Sequence, residues 1–449
     1  VENQYATGAW PWFSGMPPSR YVSQHIVAGF GHLRNLGIFD PTTRSSMSTA
    51  IVRAVDYLDG QIMEDYARLV ATGADLAERH IGWVQIHYLY ARSFFLDIDV
   101  PQEAWPAYDY YVSQADRYWL DNSVYARGMI ALALHRIGGY ESPDDIIRSL
   151  REFALHSEEQ GMYWKYDQGF YWYQAPIETQ SLLIEAFDEI AGDAEAVSDM
   201  QLWLLKQKQV QDWKTTKATT EAVYALLMRG TSLIDEEGTA TISAGNRVVR
   251  SDDPESAEPG TGYVFASWEA DDVTPALASI EVTKTGSGPG WGAAYWQYFE
   301  DLDRITPAVT PLRIEKQLFV ETVTDIGPVL QPIADDGPSR GDRLVVQVTI
   351  RVDRDMEYVH LKDMRGAGLE PINVLSQYKY RGGFGYYEST RDAATHFFIG
   401  YLPKGTYVFE YPLRVNLAGD FSNGITTIQS MYAPEFASHS AGERIRVGR

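Results

Sequence analysis

The feature that most constrains this chain is a change of period. Up to about Arg229, apolar residues recur every three or four positions, as in "WVQIHYLYARSFFL", "SVYARGMIALALHRIGG" and "IETQSLLIEAFDEIAG". Beyond it the runs are short, β-branched or aromatic, and many alternate: "GTATISAGNRVV", "ASIEVTKTG", "AAYWQYF", "RLVVQVTIRVD", "YVHLKDM", "HFFIGYL", "TYVFEYPLRVNL" and "GITTIQSMYA". The first period predicts amphipathic helices and the second predicts strands. Helices are expected after Ser19, Ser45, Ile81, Glu103, Ser123, Pro143, Ile177, Ser198 and Thr216. Small residues such as Ala126, Gly128, Ala131 and Ala133 lie on apolar faces and allow close helix approach. "RIGGY" and "EIAGD" are helix stops of the glycine type. The fold class expected is multidomain, α then β: a partial α/α toroid of helical hairpins followed by antiparallel β-sandwich domains. "ITPAVTP" is expected to separate two β units.

Aromatic loops recur before helices. "GAWPWFSGMPPS" cannot be regular throughout, because Gly and Pro break it. It feeds a helix for which Ser19 is a suitable N-cap and Gly37 a natural stop. "QDWKTTKATTEAVYALL" and "YWKYDQGFYWYQAPIETQ" repeat the theme, as stacked helical hairpins do. Trp10, Trp12 and Phe13 are expected to bury their rings at the rim of the ring of helices. The aromatic segment Met162–Pro176 is expected to pack against neighbouring helices, although flat rings also stack on sugars.

Composition excludes several classes. With 38 Lys and Arg against 61 Asp and Glu, the net charge is −23, which argues against a basic face for nucleic acid or anionic lipid. No apolar run reaches the ~18 residues of a membrane span. Zero Cys removes disulfides, thiolate metal sites and a cysteine nucleophile from the chain. No signal peptide opens it and Val1 is not an initiator Met, so it reads as a fragment or a processed form.

No motif assembles a catalytic set. His25 and His32, and likewise His80 and His87, stand seven apart, but no carboxylate completes a metal set and no HExxH is present. Asp97 and Asp99 form a DxD at a helix end, and Asp144 and Asp145 suit the first turn of a helix. Glu178 and Glu221 open two inner helices beside aromatic loops and are the best candidates for a glycosidase pair, although a favourable N-terminal charge explains them equally well. Catalytic, cofactor and metal residues are therefore assigned to none, and no cofactor is expected.

The order of the segments is more specific than any one of them. "GAWPWF", "YVSQHIVAGFGHL", "APIETQSLLIEAF" and "WKTTKATTEAVYALL", followed by "WGAAYWQYFEDLDRI", "RLVVQVTIRVDRDMEYVHLKDM", "YLPKGTYVFEYPLRV" and "MYAPEF", resemble the C-terminal third of bacterial alpha-2-macroglobulin family proteins. The resemblance implies a thioester-domain-like toroid over 1–230, a β domain resembling the CUB-like segment over 231–306, and a C-terminal macroglobulin or receptor-binding-like β-sandwich over 307–449. It implies a non-enzymatic module of a protease-trapping inhibitor. Its partners would be target proteases and other domains of the same chain, without nucleic acid or membrane contact, in the cell envelope, periplasmic or surface-exposed. The family's toroid can carry a Cys–Gln thioester. Without Cys here, that motif would lie before Val1 or be absent, and absence is the expectation. The competing reading is an α/α-toroid carbohydrate-active enzyme with β-sandwich accessory domains.

Overall fold

The computed structural model describes all residues except 1–2, 43–44, 166–174, 211, 229–237, 254–256, 258–262, 287–291, 309, 382 and 449. The chain divides into two compact units, Val1–Leu205 with Trp213–Gly290, and Lys206–Asp212 with Trp291–Arg449.

The first unit opens with a two-residue strand pair, β1 (Trp10–Pro11) and β2 (Pro18–Ser19). Nine helices follow among the described residues: α1 (Arg20–Asn35), α2 (Ser46–Thr72), α3 (Trp83–Ser93), α4 (Trp105–Tyr118), α5 (Val124–Ile137), α6 (Ser142–Glu152), α7 (Pro176–Ala186), α8 (Ala194–Val210) and α9 (Thr216–Leu227). Their starts follow the hydroxyl residues. Ser19, Ser45, Ser123 and Thr215 each accept the backbone N–H three positions on, which satisfies one of the donors a helix start leaves open. The short pair β3 (Leu155–Ser157) and β4 (Gly161–Tyr163) lies between α6 and α7.

Odd-numbered helices form one layer, because α1 packs on α3, α3 on α5, α5 on α7 and α7 on α9, while α2 packs on α4. The last inner helix meets the first: His32 of α1 stacks on Tyr224 of α9 with ring centroids 3.9 Å apart. Inner helices need apolar residues on nearly every side. In α7 every residue from Glu178 to Ala186 is buried, and in α5 most are. Small residues permit the approach: a Cβ on Gly31 of α1 would sit 2.3 Å from the Phe94 ring. The unit also holds a three-stranded antiparallel sheet, ordered β6 (Arg247–Arg250), β5 (Ala240–Ala244), β7 (Ile280–Lys284).

The second unit is a sandwich. One sheet has the order β12 (Leu369–Pro371), β16 (Gly405–Val415), β10 (Arg343–Val352), β8 (Leu312–Thr324), β9 (Gly327–Pro332). The other runs β13 (Gln377–Arg381), β14 (Phe384–Thr390), β15 (Ala394–Leu402), β11 (Met356–Met364), β18 (Thr426–Ser430), β19 (Ala437–His439). A separate pair joins β17 (Gly419–Gly424) to β20 (Glu443–Val447). Alternate residues of β16, Tyr407, Phe409, Tyr411, Leu413 and Val415, point inward, and Phe409 meets Phe397 of the facing sheet at 5.0 Å. One expected strand is absent. "AAYWQYF" runs without regular structure, and its aromatic residues are exposed. A strand needs a neighbour to take its backbone hydrogen bonds, and no described strand pairs with this stretch.

Candidate functional site

The entry loop corrects one expectation and explains itself. In β1 Trp10 points inward, 6% exposed, and its backbone N–H donates to the Ser23 hydroxyl at 2.9 Å. Gly8, at φ +92°, lets the chain pass against α2: a Cβ there would lie 2.0 Å from the Arg53 carbonyl oxygen. Trp12 and Phe13, expected to be buried with Trp10, are instead 59% and 72% exposed. Trp12 faces outward and stacks on Tyr21 at 5.7 Å.

That stack continues into the ring. Near their starts the inner helices contribute Tyr21 and His25 (α1), Trp83 and His87 (α3), Tyr125 (α5), Glu178 (α7), and Lys217 and Glu221 (α9). Tyr21 stacks on His25 at 6.4 Å, His25 approaches His87 at 6.5 Å, His87 stacks on Trp83 at 6.1 Å, and Trp83 meets Tyr125 at 5.2 Å. Lys217 donates to the Tyr125 hydroxyl at 3.5 Å. Burial and the nearby Lys217 hold the His25 pKa down at about 4. Burial, His25 and Lys217 hold His87 at about 3. Glu221 is pushed up to about 7 by burial, which outweighs Lys217, and by Glu185 and Glu178. The layer therefore presents neutral imidazoles and a carboxyl that keeps its proton close to neutrality.

A second layer lies deeper. Arg136 of α5 donates to Glu185 of α7 at 2.7 Å and to Glu189 at 2.5 Å, and covers the Phe94 ring at 3.9 Å. Tyr90 donates to Glu185 at 2.5 Å, and Tyr224 donates to the same carboxylate at 3.0 Å. Burial raises the Glu185 pKa, but Arg136, His32 and Tyr90 outweigh it and hold the carboxyl ionised. His32 Nε2 lies 2.8 Å from the Tyr90 hydroxyl. Tyr90 spends its own proton on Glu185, so the network assigns the His32 proton to Nε2. Burial keeps that ring neutral, with a pKa of about 4. Its Nδ1 stands 3.7 Å from Glu221, which is a polar contact and not an ion pair when the acid is protonated and the ring neutral.

The structure brings together His25, His32, His87, Glu178 and Glu221 and leaves the other candidates outside. The His80 ring lies against the Asp75 carbonyl oxygen, and its backbone N–H donates to Gln114. Asp97 binds Arg34 at 2.6 Å; burial pushes its pKa up, but the Arg34 hydrogen bond and charge bring it below the ordinary value. Asp99, Asp144 and Asp145 are exposed, and Asp145 pairs with Arg148 one turn on. No group of three or more His, Cys, Asp or Glu among the described residues is placed to hold a metal. Of the segment Met162–Pro176, Met162 and Trp164 are buried, and Trp164 donates to the Leu150 carbonyl at 2.9 Å, as packing residues do. Residues 166–174 lie outside the described residues.

Sequence reasoning missed Arg136, Glu185, Tyr90, Tyr224 and Lys217. One signal was available. Glu185 interrupts "SLLIEAF", and a lone carboxylate in an otherwise apolar inner helix implies a buried cation.

The second unit has a cavity of about 320 Å³ lined by Arg343, Lys379, Arg381, Glu388, Glu410 and Tyr411 among others. Several of its charged groups already have polar partners. Lys379 bridges Glu388 at 2.7 Å, Arg343 bridges Glu321 at 3.1 Å, and Gln347 donates to Glu410 at 2.7 Å.

Residues 312–435 match the family model of the bacterial alpha-2-macroglobulin MG10 domain. Among solved structures the whole chain is similar to trypsin-activated alpha-2-macroglobulin from Escherichia coli, at 14% identity and a TM-score of 0.44, over 29% of that chain. It is also similar to Escherichia coli alpha-2-macroglobulin activated by porcine elastase, at 14% identity and 0.40 over 37% of that chain. A third is Salmonella alpha-2-macroglobulin reacted with methylamine, at 17% and 0.36 over 27%. The chain thus spans well under half the length of these solved relatives. No curated sequence matches it.

Proposed function

The chain carries the MG10 domain of the bacterial alpha-2-macroglobulin family, and from that premise we propose that it is the non-catalytic C-terminal module of a protease-trapping inhibitor. The match over 312–435 is the observation that carries this reading. In it, residues 1–230 are the thioester-domain-like toroid, 231–306 the CUB-like β segment and 307–449 the last macroglobulin-like sandwich. The module works without a thioester, contacts proteases as part of the full-length protein, and resides in the cell envelope, periplasmic or surface-exposed. No described helix is long and apolar enough to cross a membrane.

The interior of the ring supports a structural role for its charged groups. Glu178 and Glu221 are packed among Tyr125, Lys217 and the imidazoles, and a glycosidase needs two carboxyls flanking an accessible bond. Glu221 does have the protonation of a general acid, so the enzyme reading has a direct test. A glycan panel is incubated with the chain and with Glu178→Gln and Glu221→Gln. Turnover that vanishes in either variant would replace the inhibitor reading. The inhibitor reading itself is tested on the full-length protein. A trapped protease keeps its activity on small peptide substrates and loses it on large ones. Equal loss on both, or on neither, would reject trapping. The chain alone is expected to take up no methylamine covalently, as judged by intact mass.

A further inference from the structure

In the sandwich, strand alternation puts two opposite charges where apolar side chains belong. Lys316 lies in phase with Leu312 and Ile314 on β8, and Asp363 in phase with Val359 and Leu361 on β11. The two strands belong to opposite sheets. The Lys316 side chain is 3% exposed and the Asp363 side chain 0%, and Nζ stands 2.7 Å from Asp363 Oδ1. Nζ also lies 2.7 Å from the Met364 carbonyl oxygen. Each carboxyl oxygen of Asp363 has a hydroxyl donor: Thr426 donates to Oδ1 at 2.5 Å, and Tyr411 donates to Oδ2. Burial and the Asp363 charge raise the Tyr411 pKa well above its ordinary value, so its hydroxyl stays a donor. A second carboxyl, Glu443 on β20, pairs in register with Gly424, whose backbone packs against the side chain of Met364, the residue after Asp363. Burial raises its pKa, Lys316 lowers it and Asp363 raises it.

We propose that Lys316 and Asp363 become joined by an amide bond between Nζ and Cγ, with Glu443 as the proton carrier. A bare ion pair in this place carries the desolvation penalty of two buried ions. Moving the ammonium proton onto the carboxylate removes both charges and leaves a free amine beside a carboxylic acid. The amine lone pair attacks Cγ, and the carbonyl electrons move to an oxygen that already receives a hydroxyl hydrogen bond, as in an oxyanion hole. Nζ gives one proton to Glu443. Glu443 passes it to the departing hydroxyl, the C–O bond breaks, and water leaves. Glu443 ends as it began, and no oxidant or reductant is needed. The remaining N–H of the amide keeps the Met364 carbonyl as its acceptor. Two groups held at van der Waals contact react as if at a concentration of about 10⁵ M or more, and a site closed to solvent does not readmit the water it releases. The product ties one sheet to the other in a chain whose sequence contains no Cys for a disulfide. The inference stands independently of the protease-trapping reading.

Intact mass spectrometry of the purified 449-residue chain, denatured, tests it. The expected mass is lower than the sequence mass by one water, and peptide mapping finds the Lys316 peptide linked to the Asp363 peptide. Lys316→Arg and Asp363→Ala are expected at full sequence mass. Asp363→Asn discriminates most sharply, because the same attack on an amide expels ammonia, so that variant is expected to be light by one ammonia. Glu443→Gln is expected to stay largely unlinked with the far-UV dichroism of the parent; full linkage in it removes Glu443 from the mechanism. A parent chain at full sequence mass, or a water loss that maps to any other residue, overturns the proposal, and neither result depends on a variant folding.

Discussion

The ring of helices and the sandwich both bury charge, and they handle it differently. In the ring, Arg136 is shared by Glu185, Glu189 and the face of Phe94, while Glu185 also accepts from Tyr90 and Tyr224. Four inner helices contribute to this one knot. Asp59 of α2 is treated similarly by Arg92 at 3.1 Å and Tyr88 at 2.6 Å of α3. In the sandwich, the inward phase of each strand offers one position every second residue, and Lys316 meets Asp363 across the gap. A ring of helices converges several side chains on one point. Two facing sheets set one cation directly against one carboxylate, whose oxygens the Thr426 and Tyr411 hydroxyls also reach. The first arrangement suits a network of hydrogen bonds, and the second suits a single bond.

The comparison breaks first at Arg136. Arg136→Met leaves Glu185 buried without its cation and is expected to cost about 3–5 kcal/mol, read by denaturant unfolding of the helical dichroism signal. A loss near zero would mean that the tyrosines alone hold the carboxylate. Trp10→Ala removes a core aromatic ring from the same unit and is expected to cost a similar amount, about 3–5 kcal/mol.

The two interiors should also differ in pH response. The unfolded chain takes up protons at His25, His32 and His87 near the ordinary value of 6.5, whereas in the folded ring these groups hold out to about 4, 4 and 3. Their contribution is therefore lost as pH falls below 6.5. Glu221 acts in the opposite sense: raised from 4.5 to about 7, it favours the fold at low pH and loses that contribution as pH rises from 4.5 to 7. Three histidines outnumber one acid, so the ring should unfold more easily at pH 5 than at pH 6.5. His87→Phe should flatten that slope and Glu221→Gln should steepen it. The sandwich has one comparable pair, His360 and His396, whose pKa values burial lowers, but both are only part-buried. Its slope should be shallower, and a steeper slope in the sandwich than in the ring would overturn this account. The smallest effect is expected at the rim. Trp12→Ala should cost less than about 1 kcal/mol, as exposed positions do, and a core-sized loss would show that its stack on Tyr21 carries more than surface contact.

Much of the architecture is legible in the sequence. Nine helical segments are expected and nine are found among the described residues, the first capped by Ser19 as the sequence indicates. The alternating runs "RLVVQVTIRVD" and "TYVFEYPLRVNL" became β10 and β16. The site was less legible. The seven-residue spacing of His25 and His32 is legible, but their partners come from α3 and α9, far along the chain. Lys316 is visible in sequence as a charge on the inward phase of "LRIEKQ", yet alternation does not say that Asp363 faces it.

What the sequence settles by itself depends on near neighbours: period, caps and stops act over three or four residues, so they survive without knowledge of the rest of the molecule. The outward turn of Trp12, the irregular course of "AAYWQYF", the sharing of Glu185 among four helices and the meeting of Lys316 with Asp363 were decided only by tertiary structure. Each depends on which distant segment packs alongside, and close packing admits one set of neighbours where local propensity admits many.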